Sequence, residues 1–162
     1  MFLRVELDGT SWLTDVGVGG LSLTAPLRLA IDGPQETPHE PRRIMREGDR
    51  WFHQARLGDT WADVCEFTGE EMPLIDREVA NWFTSTHPAS HFHNRMIVAR
   101  AAPDGRRITL LNRELKVRDR DGRAETRTIE SAPALLEVLA QHFGLHFPAG
   151  LRFGVGAAPW PV

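Results

Sequence analysis

Cysteine is almost missing from this 162-residue sequence, where Cys65 stands alone. One thiol excludes an intramolecular disulfide and suits a reducing cytoplasm. No apolar run approaches the length that spans a bilayer. The first residues, Met1 to Asp8, alternate and carry Arg4 and Glu6, unlike the apolar core of a signal peptide. Nor is there an excess of positive charge. Lys and Arg number 19 against 22 Asp and Glu, giving a net charge of −3 and a pI near 6.2. That balance gives no reason to expect a nucleic-acid partner, which normally demands a basic patch. Internal repeats and low-complexity blocks are absent too. What remains is ordinary for a globular chain, 41% hydrophobic and 25% charged, long enough to bury a core as one domain or two small ones.

Short strands dominate the first part. Phe2 to Leu7 alternates Val5 and Leu7 with Arg4 and Glu6, the pattern of a half-buried strand. Asp8-Gly9 is a hairpin signal, and Ser11 to Val16 returns with Trp12 and Val16 among its apolar positions. Leu21 to Leu29 and a proline-rich loop, Pro34 to Pro41, come next. Arg42 to Arg46 and Arg50 to Leu57 form a second hairpin around Glu47-Gly48-Asp49, and Trp61 to Phe67 adds a strand. Such spacing points to a small antiparallel barrel or sandwich.

The period then changes. Leu74, Ile75, Val79, Trp82 and Phe83 recur at helical spacing after Pro73. A polar loop runs from Thr84 to Phe92. Strands follow at Met96 to Ala101, Arg107 to Leu111, Glu114 to Arg118 and Arg123 to Ile129. Ser131 to Phe143 reads as the clearest helix, capped by Ser131, apolar along Leu135, Leu136, Val138, Leu139 and Phe143, and stopped by Gly144. The tail from Gly150 to Val162 is rich in glycine and proline.

Chemistry concentrates at Trp12 to Gly20. Asp15 falls where a strand ends, and Gly17, Gly19 and Gly20 follow it. Two readings stand. The carboxylate bonds the backbone of its own glycine loop, or it is the third member of a nucleophile–His–Asp triad, accepting a histidine N–H and fixing its tautomer. The second needs a histidine and a nucleophile nearby. Cys65 is a poor nucleophile, because Asp63 and Glu66 flank it where a reactive thiol needs positive charge; alternation places it on the face of Asp63 and Phe67. His87, His91 and His93 cluster, and His91 and His93 on a strand would aim two imidazoles one way. No second cysteine or carboxylate set joins them, so no metal is assigned.

Val5-Glu-Leu followed by Trp12-Leu-x-Asp15-Val-Gly-Val-Gly19 resembles the central region of the arylamine N-acetyltransferase family, where the usual motif is Asp-Val-Gly-Phe-Gly. Leu23-Thr-Ala-Pro-Leu-Arg-Leu29 is similar to the segment that follows. Trp82-Phe-x-Ser-Thr-His-Pro-x-Ser-His-Phe92 resembles the family's loop between barrel and lid, and Ile108-Thr-Leu-Leu-Asn112 with Phe143-Gly-Leu145 resembles the lid. The order and spacing of these segments carry the resemblance across the whole chain.

The resemblance implies an α+β chain: an antiparallel β-barrel over 1–72, incomplete at its N-terminus, a helix and loop over 73–92, and an α/β lid over 93–162. It implies ping-pong acetyl transfer from acetyl-CoA to an arylamine or hydrazine nitrogen, with Asp15 as the last member of a Cys–His–Asp triad. Val18, where the family has phenylalanine, and Phe92 would line the acceptor pocket. Gly17 and Gly19 would let backbone approach the acyl or pantetheine chain. Acetyl-CoA is then a co-substrate, with no resident cofactor. The family's Arg-Gly-Gly-x-Cys and Thr-His-Met motifs have no counterpart here, and Met1 aligns just past the histidine. The expectation is a chain inactive alone, with an open strand edge and a tendency to dimerise or to pair with a complementing N-terminal chain. Three other readings stay open: a miscalled or truncated start whose natural product is a complete enzyme, a non-catalytic binding module, and a relative of the macrolactam-forming amide synthases, for which Val18 leaves room.

Overall fold

In the computed structural model, residues 2–151, 153–155 and 158–159 are described; the far end of the glycine- and proline-rich tail lies outside them. The chain divides into two compact units. The first comprises Met1–Glu70, Ala101–Arg107 and Val117–Ala124, and the second Glu71–Arg100, Ile108–Lys116 and Glu125–Val162.

The first unit is built from hairpins. β1 (Leu3–Leu7) and β2 (Thr10–Thr14) pair antiparallel, Leu7 opposite Thr10, around Asp8-Gly9. Both turn residues have positive φ, the conformation that matches a hairpin's twist. β3 (Leu27–Arg28) completes a sheet in the order β1-β2-β3. β4 (Arg42–Glu47), β5 (Arg50–Leu57) and β6 (Thr60–Phe67) form a second three-stranded meander. Leu13, Leu27 and Ile44 make a buried cluster, with Phe2, Leu23, Leu29, Trp51 and Phe67 packed around it. These sheets are separate and open, so the expected closed barrel is not seen.

Two local expectations are also corrected. β1 is not half-buried; all five of its residues are exposed, Val5 and Leu7 included, because it is an edge strand with one neighbour. Val16 is not a strand residue. The strand ends at Thr14, and Val16 is 94% exposed.

A close approach ties two turns of this unit together. Gly122, at φ 91°, sits so near Gly58 that a Cβ there would lie 2.3 Å from the Gly58 nitrogen. Only glycine fits such a backbone contact.

The second unit carries most of a four-stranded sheet in the order β10-β9-β8-β7. Its strands are β7 (Ile97–Ala101), β8 (Arg107–Leu111), β9 (Glu114–Arg118) and β10 (Ala124–Thr128). α1 (Leu74–Thr86) starts just after Pro73 and runs two residues beyond the expected loop boundary; α2 (His91–Asn94) is a single turn. α3 (Ala132–Val138) is capped by the Ser131 hydroxyl, which accepts the Ala134 N–H at 3.3 Å. It continues as a π-helical turn, Leu139–Phe143, and stops at Gly144. Ala132, Leu135, Val138 and Leu139 are buried, as are Ile108, Leu110, Leu115 and Ile129. No helix among the described residues is long and apolar enough to cross a membrane.

Candidate active site

Side chains alternate along a strand. Leu13 of β2 faces the buried cluster, so Asp15, two residues on, points the same way and is only 5% exposed. A carboxylate there needs partners. Its Oδ2 accepts the Gly17 N–H at 3.0 Å, an Asx-type turn that fixes the χ angles of Asp15. Among the described residues nothing donates to Oδ1. The chain then turns through Gly19, at φ 74°, into a 3₁₀ turn over Gly19–Leu21. The Ser22 N–H and hydroxyl both donate to the Gly19 carbonyl, at 3.0 and 2.9 Å. The glycines thus serve the turn itself. A Cβ at Gly17 would meet Asp15 Oδ1 at 3.5 Å, while one at Gly19 would meet nothing within 4 Å.

Behind this loop lies a buried polar chain. Arg42 and His53 face inward, at the parity of Ile44 and Ala55 on their own strands, and each is fully buried. Glu40 joins two arginines. Its Oε1 accepts from Arg42 Nη2 in a very short contact and from Arg107 Nη2 at 2.8 Å, and its Oε2 accepts from Arg107 Nε at 2.9 Å. Both arginines also donate to the backbone just past Asp15, while Arg42 Nε is buried without a partner among the described residues. Arg42 Nη2 donates to Leu21 O at 3.0 Å, and Arg107 Nη1 to Ser22 O at 2.9 Å and Gly20 O at 3.4 Å. The acidic-loop turn is therefore clamped by two cations that share one carboxylate. Burial raises the Glu40 pKa, but the hydrogen bonds and charges of Arg107 and Arg42 outweigh it and hold the carboxyl below its usual range.

Arg42 Nη1 also lies 3.0 Å from His53 Nε2. A guanidinium has no lone pair, so Nε2 is the acceptor and the imidazole is neutral with its proton on Nδ1. Burial, then the Arg42 charge, pushes the His53 pKa down to about 4. Nδ1 faces Cys65 Sγ at 4.0 Å.

That thiol is unsuited to nucleophilic work. Its pKa is pushed up to about 11, first by burial and then by the Asp15 carboxylate; a backbone hydrogen bond from His53 and the Arg42 charge only partly offset this. The flanking Asp63 and Glu66 are not the cause, and Cys65 does not share a face with Asp63. A bulge shifts the register between His53 and Gln54, so that Cys65 pairs with His53 and Asp63 with Gln54, leaving Val64 unpaired. Parity inverts there. Gln54 Nε2 donates to Asp63 Oδ1 at 2.7 Å on the other face.

Val18 is half-buried in the first unit, beside the Gly19 turn. Phe92 belongs to the second unit, on α2, 66% exposed. It lines a cavity of about 320 Å³ with Met96, Val98, Leu139, Leu145 and Phe147. The hydroxyls near Phe92 are engaged within their own loop. Ser85 donates to Asn81 O, Thr86 to Trp82 O and Ser90 to Thr84 O, at 2.6 to 2.7 Å, and Ser90 Oγ caps α2. His91 and His93 lie on a helical turn, not a strand, so their rings diverge. His93 Nε2 meets Ser85 O at 2.8 Å, and His87 stacks on Phe83 at 4.6 Å. Among the described residues no three His, Cys, Asp or Glu side chains gather as a metal site.

A carboxylate oriented at a strand end, beside a glycine turn held from behind, is an arrangement that can hold an imidazole. The sequence profile described as N-acetyltransferase matches residues 1–152. The chain belongs to the arylamine N-acetyltransferase family. It is 40% identical over 145 residues to the arylamine N-acetyltransferase of Mycolicibacterium smegmatis, covering 88% of this chain and 52% of that protein. To the Escherichia coli arylamine N-acetyltransferase it is 35% identical over 143 residues, covering 88% and 51%. The structure of the Mycobacterium marinum enzyme in complex with CoA superposes with a TM-score of 0.80 at 39% identity, covering 88% of this chain and 53% of that one. The fold is thus the mixed α/β fold of arylamine N-acetyltransferases, and the chain spans about half the length of the curated relatives it matches.

The site therefore brings Asp15 together with Gly17, Gly19 and Val18. The sequence had not singled out Glu40, Arg42, His53 or Arg107. A signal existed for two of them. Arg42 and His53 occupy the core-facing parity of strands whose neighbours at that parity, Ile44 and Ala55, are apolar.

Proposed function

We propose that this chain supplies the aspartate of a Cys–His–Asp triad for acetyl transfer from acetyl-CoA to an arylamine or hydrazine nitrogen. The observation that carries this reading is Asp15, buried at the end of β2 with Oδ2 locked by Gly17 and Oδ1 facing no donor among the described residues. In that role Asp15 accepts the imidazole N–H, fixes the tautomer and stabilises the imidazolium. The histidine takes the thiol proton. The thiolate attacks the acetyl carbonyl, and the imidazolium gives its proton to the departing CoA sulfur, so that CoA leaves as the free thiol and the histidine is neutral again. The amine nitrogen then attacks the enzyme thioester, and its proton passes to the histidine as the thiolate leaves.

Neither the histidine nor the thiol of this scheme is present at matching positions, and Cys65, the sole cysteine, is deactivated by burial. In this reading the remaining half of the fold provides both. The barrel of residues 1–72 closes when a further strand pairs with the open edge of β1, residues 73–92 link it to the lid, and residues 93–162 form that lid. CoA is the acyl donor's carrier, as the CoA complex of the M. marinum relative supports. Gly17 and Gly19 flank its thioester end, Val18 and Phe92 contact the acceptor, and the protein works in the cytoplasm. Incubating the purified chain with acetyl-CoA and an arylamine tests this. No turnover is expected; acetylation above a heat-killed control that persists in Cys65→Ala would overturn it.

Val18 favours a second reading. A valine where the family usually has phenylalanine removes an aromatic wall and admits a bulkier acceptor, as in macrolactam-forming amide synthases. A non-catalytic binding module that retains only weak CoA or amine binding is the remaining alternative. A monodisperse, ligand-free chain with no affinity for CoA would count against it.

A further inference from the structure

We propose that Arg107 and Arg42, joined through Glu40, are positioning residues for the triad aspartate: they hold the glycine turn whose backbone orients Asp15. The proposal rests on the role of Asp15 given above and names what keeps that carboxylate in place.

Among the described residues one group orients Asp15, the Gly17 N–H at Oδ2. The carboxylate is therefore as steady as the turn that carries Gly17. Little steadies that turn from outside. Val16, Gly17 and Gly19 are exposed, and no residue of the Gly19–Leu21 turn is buried. Its local closure is Ser22, whose N–H and hydroxyl both donate to Gly19 O. A glycine-rich segment with so few packed side chains opens readily unless its polar groups are tied down.

The two arginines tie them from inside. Three successive carbonyls each accept from a guanidinium: Gly20 and Ser22 from Arg107 Nη1, Leu21 from Arg42 Nη2. Arg107 lies 85 residues along the chain from Ser22, so the contact fixes the turn to the body of its unit and not merely to itself. Glu40 sets the two forks against each other, Oε1 accepting from both arginines and Oε2 from Arg107 Nε. His53 Nε2 holds the other arm of Arg42 at 3.0 Å.

Stability alone does not account for such a cluster. Glu40, Arg42 and Arg107 are each at most 5% exposed, and Arg42 Nε has no partner among the described residues. Buried charges with an orphan donor hold a fold together less well than apolar side chains of similar volume. What the cluster adds is directed donors, and they converge on the turn that orients Asp15. Arginine suits the task, since Arg107 meets the carboxylate through Nε and Nη2 and still reaches two carbonyls through Nη1.

Two measurements test this. In the full chain alone, hydrogen exchange reads the turn. Arg107→Met should speed exchange of the Gly17 amide about tenfold or more while the β5 amides stay protected; an unchanged Gly17 amide would overturn the proposal. The second is a double-mutant cycle on acetylation by the full chain co-expressed with the unmatched half of the M. smegmatis relative. Arg107→Met should lower kcat about 10²-fold and leave KM within about a few-fold. Once Asp15 is replaced by Asn it should lower kcat no further, because Arg107 acts through that carboxylate. A residue needed only for the fold would cost the same factor in both backgrounds, and that result would overturn the proposal with the role of Asp15 intact. If the unmodified pair does not turn over, or Asp15→Asn costs it nothing, the role of Asp15 fails and the proposal with it. Should Arg107→Met not fold, Arg107→Lys decides by the same two measurements, since it keeps a charge against Glu40 but cannot reach the carboxylate and both carbonyls at once.

Discussion

Glu40 is a buried carboxylate with two charged partners. It neutralises two buried guanidinium groups, and those groups hold the carbonyls of Gly20, Leu21 and Ser22. Removing one partner of a buried ion pair strands the other charge, which costs about 3–5 kcal/mol. Glu40→Ala is therefore expected to lower stability by about that amount, read from urea unfolding. His53 gives a pH dependence with a fixed sign. Its folded pKa is depressed to about 4 from 6.5, so below pH 6.5 the unfolded state binds the proton first. Stability falls as pH drops from about 6.5 to about 4, by about 3 kcal/mol from this group. Glu40, with its lowered pKa, pulls the same way at lower pH. Cys65 acts at the other end: its raised pKa makes stability fall as pH rises from about 9 towards about 11. Unfolding midpoints at pH 7 and pH 4.5 should differ in the native chain and converge in His53→Gln. Much of this layer was illegible beforehand. Charged residues in a short strand normally read as the solvated face, and Arg42 breaks that habit because Glu40, two residues earlier, turns inward with it and Arg107 joins them from a distant stretch of chain. Asp15 was legible, since a strand end followed by glycines shows in the sequence alone. Cys65 was misplaced by one bulge, which periodicity cannot reveal.

Elements followed their local chemistry closely. The Asp8-Gly9 and Gly48-Asp49 turns, the Pro73 start and the Ser131 cap each mark a boundary that the backbone respects. Ser131→Ala should cost about 1 kcal/mol, the usual loss for an N-cap. Leu135→Ala, at a fully buried α3 position, should cost about 2–5 kcal/mol. Thermal or urea denaturation of the two variants checks the contrast. Gly122→Ala should destabilise more than an ordinary surface change, because its Cβ meets the Gly58 backbone and its φ is left-handed. Burial was the harder property to read. β1 alternates as a half-buried strand should, yet both of its faces are open. α1 has a helix's apolar stripe, yet none of its residues is buried. Periodicity reports which side wants burial, and says nothing of whether a partner is at hand.

At the scale of the molecule those two uncovered elements and the half-length match belong to one account. The segment holds an oriented carboxylate, a clamped glycine turn and a deactivated thiol, and its relatives are about twice the length it spans. The overall α/β family fold could be read from the sequence because the motifs come in family order. The barrel was an over-reading, since strand spacing does not say whether two three-stranded meanders close on each other, and here they stay separate. The account's central claim is that Asp15 orients a histidine carried by the other half of the fold. The most direct measurement is the rate of arylamine acetylation by the co-expressed pair, with and without Asp15→Asn. The account predicts turnover in the unmodified pair and a fall of about 10⁴-fold in Asp15→Asn, by the size seen when a triad aspartate becomes an amide, with the pair still assembled by native mass spectrometry. An Asp15→Asn pair that keeps its rate to within a few-fold would contradict it.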